Sequence, residues 1–115
     1  MPMYKWAEME ELPLNPLIKG KVVEAPNAMM ARIKAPPGPI NMHTHDFDQI
    51  THMLGGKMRW VIEGEEPRIV GPGDVMVMPA GVPHGGEVLE AAEYLDIFAP
   101  GRQDFSWYKQ KLEQK

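Results

Sequence analysis

The sequence predicts an all-β domain, a sandwich or small barrel, and three observations carry that expectation. Twelve prolines and eleven glycines punctuate the 115 residues in APPGP, LGG, GEEP, GPGD, PAGVP and APG, the composition of closely spaced turns. Between these marks lie runs of strand length, KGKVVEA, NAMMARIKA, QITHML, KMRWVIE, PRIVG, DVMVMP, GEVLE and EYLDIFA, several rich in β-branched residues or methionine. Short strands about 8–12 residues apart suit sandwiches and barrels rather than alternating helices and strands.

In chain order, KWAEMEEL is read as a short helical turn and KGKVVEA as the first strand. NAMMARIKA follows, with Arg32 and Lys34 in phase on one face, taken as the outer one. QITHML and KMRWVIE are read as separate strands divided by LGG, and GEEP as the loop of a hairpin between KMRWVIE and PRIVG. In KMRWVIE the phase of Met58, Trp60 and Ile62 is the interior set, and Arg59 faces out. Met53, Met58, Met76 and Met78 are read as core filler, since methionine adapts to irregular gaps. The last segment, DFSWYKQKLEQK, reads as a helix capped by Asp104.

Length and composition describe one domain over residues 1–115, with no room for a second catalytic module. Twelve Lys plus Arg against sixteen Asp plus Glu give a net charge of −4 with no basic block, which argues against nucleic acid. No apolar run approaches the roughly 20 residues needed to cross a bilayer, and MPMYKWAEMEELP is acidic where a signal peptide would be basic then apolar. A cytoplasmic protein is expected. The absence of cysteine removes disulfides, thiolate nucleophiles and sulfur-ligated zinc, so a metal must be held by histidine and oxygen.

The chemistry gathers in NMHTHDFDQITHMLGG. On a strand, His43 and His45 point to one side and their imidazoles converge. The gap to Gln49 lets the chain bend and return a side-chain oxygen to the same point, and His84, after the turn in MPAGVPHGG, is the fourth candidate. His52 is out of phase with Gln49, Thr51 and Met53 and is left out. An HxH pair alone is as consistent with a solvated strand face as with a metal site. Further on, Tyr94, Asp96 and Phe98 share one face of EYLDIFA. Were that face interior, a carboxylate and aromatic rings would line a pocket, with Arg102 near the rim to fork a substrate carboxylate. Alternation alone equally allows Asp96 at a strand edge, Phe98 in the core and Arg102 on the surface.

These residues resemble the cupin superfamily. Its first motif, glycine, HxH, an acidic residue and glycine, reads here Gly38, His43, His45, Gln49 and Gly56, and its second is matched in full by GDVMVMPAGVPH from Gly73 to His84. Three departures stand out: Gly38 is one residue closer to His43 than usual, Gln49 replaces the usual glutamate, and Val88 replaces a frequent asparagine. The resemblance covers about residues 27–102 and implies a double-stranded β-helix, the jelly-roll barrel of cupins.

The tail DIFAPGRQDF is similar to that of small single-domain cupins of the KdgF pectin-degradation type. That resemblance implies a metal held by His43, His45, Gln49 and His84, and a catalytic set of Asp96, Phe98 and Arg102. It implies conversion of 4,5-unsaturated uronates, small anionic sugars, into linear 4-deoxy-5-keto-uronates, with Asp96 moving a proton, Arg102 anchoring the carboxylate and Phe98 packing on the sugar. Histidine with a neutral oxygen donor suits several divalent ions, of which Zn, Ni, Mn and Fe are expected here. Three imidazoles and an amide leave the ion's charge uncompensated, which favours an anionic ligand. A metal-dependent dioxygenase and a non-catalytic sugar-binding cupin remain open beside the uronate enzyme. A homodimer is expected, since cupin barrels expose sheet edges and a broad outer face, with the strand around Ile18 to Val23 extending a neighbouring sheet.

Overall fold

The structure, a computed structural model, describes residues 2–100. Arg102 and the segment expected to form the final helix lie outside the described residues. Eight strands follow one another: β1 (Leu12–Pro13), β2 (Lys19–Ala25), β3 (Ala28–Ala35), β4 (Gly38–His43), β5 (Asp48–Ile62), β6 (Arg68–Val70), β7 (Val75–Met78) and β8 (His84–Ala99). A single 3₁₀ turn, Trp6–Glu8, occupies the segment expected to be helical near the start.

Two boundaries differ from the sequence expectation. QITHML and KMRWVIE form one strand, β5, and GEVLE and EYLDIFA form one strand, β8. The glycine pair behind QITHML bends the strand instead of ending it: the β5–β8 register slips on both sides of Gly55, and Gly56 sits at φ 79°. A Cβ at Gly56 would meet the Ala91 carbonyl oxygen at 2.2 Å, so only glycine passes so close to the partner strand. GEEP does close the expected hairpin, with Glu65 N–H donating to the Ile62 carbonyl between β5 and β6.

Because β5 and β8 bend, each belongs to two sheets. In one, β1, β2, β3, the second half of β8, the first half of β5 and β7 lie side by side. In the other, β4, the first half of β8, the second half of β5 and β6 do. All pairings are antiparallel, and the two sheets close on each other as a jelly roll.

Strand alternation fills the space between the sheets. Met29, Ile33, Met53, Met58, Trp60, Met78, Val88, Tyr94 and Phe98 are buried, while Met76 and Ile62 pack at the margin of this core. Arg32, Lys34 and Arg59 all point outward. Arg32 Nε bonds Glu93 at 2.8 Å and its guanidinium lies 5.9 Å from the Trp6 ring centre, Lys34 pairs with Glu11 at 3.8 Å, and Arg59 pairs with Glu87 at 3.7 Å. His52 is likewise on the outer face, opposite Val75 and Leu95.

Candidate metal centre

Three separate pieces of chain deliver the expected ligands. His43 closes β4 and His84 opens β8, and the two are direct cross-strand partners. A bulge makes this pairing: Ile40 stands opposite Gly86 and His43 opposite His84, three steps along β4 against two along β8. Strict alternation from Ile40 would turn Met42 inward; the extra residue turns His43 in and leaves Met42 52% exposed.

His45 does not share a strand with His43, as the HxH spacing suggested, but lies in the loop before β5. Its position is set by other contacts. Phe47 stacks on the imidazole at 3.9 Å with an interplanar angle of 5°, and Gly81 N–H donates to the His45 carbonyl at 2.8 Å. Asp48 Oδ1 accepts from Ala80 N–H at 2.9 Å, so this loop is tied twice to the turn that precedes His84. Gln49 enters from the start of β5 and is buried.

The tautomers follow from the backbone. His43 Nδ1 lies 2.8 Å from the Asn41 carbonyl, His45 Nδ1 3.0 Å from the Phe47 carbonyl and His84 Nδ1 2.9 Å from the Val82 carbonyl. A carbonyl only accepts, so each Nδ1 carries the proton and each Nε2 presents its lone pair. The ligating atoms of the three histidines lie within 4.8 Å of one another, and this group is suited to holding a metal ion. Gln49 Oε1 stands 3.2 Å from His45 Nε2. With His45 neutral these are two acceptors facing each other, which only a cation or a proton between them makes favourable. Two atoms each about 2.1 Å from one ion stand roughly 3 Å apart at tetrahedral or octahedral angles, so the spacing fits a shared metal.

Behind this centre runs a buried polar chain. Gln49 Nε2 donates to Thr51 Oγ1 at 3.0 Å, and Thr51 Oγ1 donates to Asp96 Oδ1 at 2.6 Å. Thr51 and Asp96 are cross-strand partners on the inner face, which puts Asp96 inside the barrel rather than at an edge. Sequence reading passed over Thr51, because a threonine in a strand is unremarkable until its partner strand is known.

A cavity of about 560 Å³ opens onto the centre, with His43, Gln49, Asp96, Tyr94, Trp60 and Val88 among its lining residues together with Leu14, Ile18 and Ile40. Asp96 is the one carboxylate among the described lining residues. Burial first, and the nearby Asp96 carboxylate second, push the Tyr94 phenol far above its usual range, so Tyr94 stays protonated and can donate. Trp60 Nε1 is buried with no hydrogen-bond partner among the described residues.

Phe98, on the same face of β8 as Tyr94 and Asp96, lies deep in the core. Phe98 is 1% exposed and is not among the described residues that line the cavity. It meets Phe47 edge to face at 5.4 Å, and Phe47 in turn stacks on His45. Gln49 is the register partner of Phe98 on β5. Phe98 therefore packs behind His45 through Phe47.

Comparison with known proteins agrees with this architecture. The cupin domain family matches residues 31–98. The structure of KdgF from Halomonas sp. superposes with a TM-score of 0.81 at 29% identity, over 90% of this chain and 97% of that one. An RmlC-like cupin from Shewanella frigidimarina superposes with a TM-score of 0.82 at 20% identity, over 91% of this chain and 96% of that one, a likeness of fold. The dimethylsulfoniopropionate lyase DddQ of Ruegeria pomeroyi is 40% identical over 42 residues, 36% of this chain, and the chain spans about a fifth of the length of that curated relative. The stretch that the family match covers begins in β3 and ends in β8, taking in every ligand described above, and the protein belongs to the cupin family.

Proposed function

We propose that this protein is a metal-dependent enzyme that converts a 4,5-unsaturated uronate to the linear 4-deoxy-5-keto-uronate. The observation that carries this reading is the placement of one buried carboxylate, Asp96, in the wall of the same cavity that His43 and Gln49 line. The likeness to KdgF over nearly the full length of both chains supports it.

His43, His45, His84 and Gln49 Oε1 would hold the ion, with Zn, Ni, Mn and Fe all compatible with this donor set. When bound, the metal supplies a Lewis acid that polarises a substrate oxygen. The conversion is an isomerisation: the proton of the C1 hydroxyl is removed, the bond from C1 to the ring oxygen breaks as C1 becomes a carbonyl, and the enol so released takes a proton at C4 to become the 5-ketone. Asp96 carries that proton. Its Oδ1 accepts from Thr51 Oγ1, which orients the carboxylate that moves the proton. Tyr94 and Trp60 bring an O–H and an N–H to a wall of apolar side chains and a few polar ones, the arrangement that orients a small polar ligand. Arg102, outside the described residues, is assigned the substrate carboxylate on the family resemblance.

The working unit in this proposal is a homodimer. One row across the outer face reads Val23, Met30, Ile97, Ile50 and Val77, each the register partner of the next, apolar across five strands. Val77 is 57% exposed and Ile50 37%. Such a row is a liability unless covered, and a second copy covers it with the same row in a two-fold contact. β2 adds a second route, since its edge beyond Gly20 has no partner strand among the described residues.

The test is ultraviolet monitoring of an unsaturated uronate with the purified, metal-analysed protein. Chelator-sensitive acceleration of the loss of conjugated absorbance is expected. An unchanged rate with stoichiometric metal bound would overturn the uronate reading and redirect the search to oxygen-dependent chemistry or ligand binding alone.

A further inference from the structure

The buried run from Asp96 to the metal centre has a direction, and the direction decides which atom of Gln49 meets the ion. Asp96, Thr51 and Gln49 are 5%, 0% and 4% exposed, and the Thr51 hydroxyl between the other two finds its partners among these side chains. Thr51 has one hydroxyl proton. The contact of Thr51 Oγ1 with Asp96 Oδ1, 2.6 Å, is the length of a charge-assisted O–H···O⁻ bond, whereas the other acceptor in reach, Met78 Sδ, is a weak one at 3.9 Å. The proton therefore goes to Asp96, and Thr51 Oγ1 can only accept from its other neighbour. That neighbour is the end of Gln49, 3.0 Å away.

A glutamine amide is nearly symmetric in shape but not in chemistry. With its nitrogen towards Thr51, it gives a hydrogen to an oxygen that needs one and turns Oε1 to His45 Nε2, 3.2 Å away. Reversed, Oε1 would face a hydroxyl with no proton left to give, and the NH₂ group, which has no lone pair for a metal, would face the ligand cluster. A glutamate at this position would need no such sorting, since both of its oxygens can ligate; an amide does need it.

We propose that Thr51 is a positioning residue that locks Gln49 with its oxygen towards the metal, and that Asp96 fixes Thr51 by accepting its hydroxyl hydrogen bond. The proposal rests on the reading of Gln49 as a metal ligand. Through it, the residue assigned to proton transfer and the residue assigned to the ion are connected by one hydroxyl group that touches neither metal nor substrate.

The test is titration of chelator-stripped protein with Zn²⁺ in competition with a chromophoric chelator, comparing the native chain with Gln49→Ala, Thr51→Val, Thr51→Ser and the double variant Gln49→Ala/Thr51→Val. Thr51→Val should weaken Zn²⁺ binding more than fivefold and Thr51→Ser should restore it to within fivefold. The double variant should bind no more weakly than Gln49→Ala, because an amide that is gone cannot be misoriented. Melting of the metal-free proteins shows that each variant is folded, and Thr51→Ala replaces valine under the same criterion if the larger side chain is not accommodated. A loss of fivefold or less in the threonine deletion, beside a clear loss in Gln49→Ala, overturns the positioning role while leaving Gln49 a ligand. Undiminished binding by Gln49→Ala overturns the ligand assignment itself.

Discussion

His43 and His84 are direct partners across β4 and β8, and their rings meet edge to face with centroids 4.4 Å apart. The pairing depends on one extra residue in β4, and it sets two of the three imidazoles before the loop carrying His45 is placed.

Removal of either partner should therefore empty the site. A ligand present at 100 times its dissociation constant stabilises the folded state by about 2.7 kcal/mol. Chelation should lower the melting temperature of the native protein accordingly, by about 4–8 °C per kcal/mol in a domain of this size. In His84→Ala the chelator-dependent shift should vanish, together with stoichiometric metal in elemental analysis. A variant that keeps both would show that the histidines converge for another reason.

Asp96→Asn separates chemistry from metal binding. Asparagine can still accept the Thr51 hydroxyl through Oδ1, so the hold on Gln49 persists. Proton transfer is lost, and turnover of the unsaturated uronate should fall by about 10²–10⁴-fold with metal content unchanged. A fully active Asp96→Asn protein would remove this residue from the mechanism.

Tyr94 predicts how stability changes in alkali. Its folded-state pKa is raised above the ordinary 10.0, so above that pH the unfolded chain gives up a proton that the folded chain keeps. Protons bound in the folded state then exceed those in the unfolded state, and stability falls as pH rises, by about 1.4 kcal/mol per pH unit from this group. Below pH 10 the contribution is fully present. Urea denaturation from pH 8 to 11 should show a shallower decline in Tyr94→Phe than in the native chain, and parallel curves would contradict the buried, protonated phenol.

The outer apolar row predicts the oligomeric state. Sedimentation of the native protein should give a dimer, and Ile50→Lys, which puts a charge in the row between Val77 and Ile97, should give a monomer. A native monomer, or a dimer indifferent to Ile50→Lys, would exclude this face as the contact.

Much of this was legible in the sequence where one residue type at one spacing has one physical use. GDVMVMPAGVPH positions His84 by turn chemistry, and the alternation in EYLDIFA placed Asp96 on the same side as Tyr94, with the barrel interior settling which side that was. The limits have equally physical causes. The β4 bulge is invisible to a period-two reading, so His43 and His45 converge for a reason other than a shared strand face, since His45 is in a loop. Gly55 and Gly56 read as a turn because glycine serves both turns and bends, and only the partner strand distinguishes them. Phe98 is on the predicted face, yet alternation gives a side and not a depth, and it lies behind His45 and Phe47 instead of in the cavity wall. Thr51 acquires meaning only through its register with Asp96.

The bend that lets β5 serve two sheets also divides the candidate ligands between them: His43 and His84 belong to the sheet of β4, and Gln49 to the sheet of β3 and β7. A cation held by all of them is a rivet through both walls of the barrel. Amide exchange should then slow on metal loading along the β4 rim, far from any change in backbone pairing, because prising the walls apart would first require letting go of the ion.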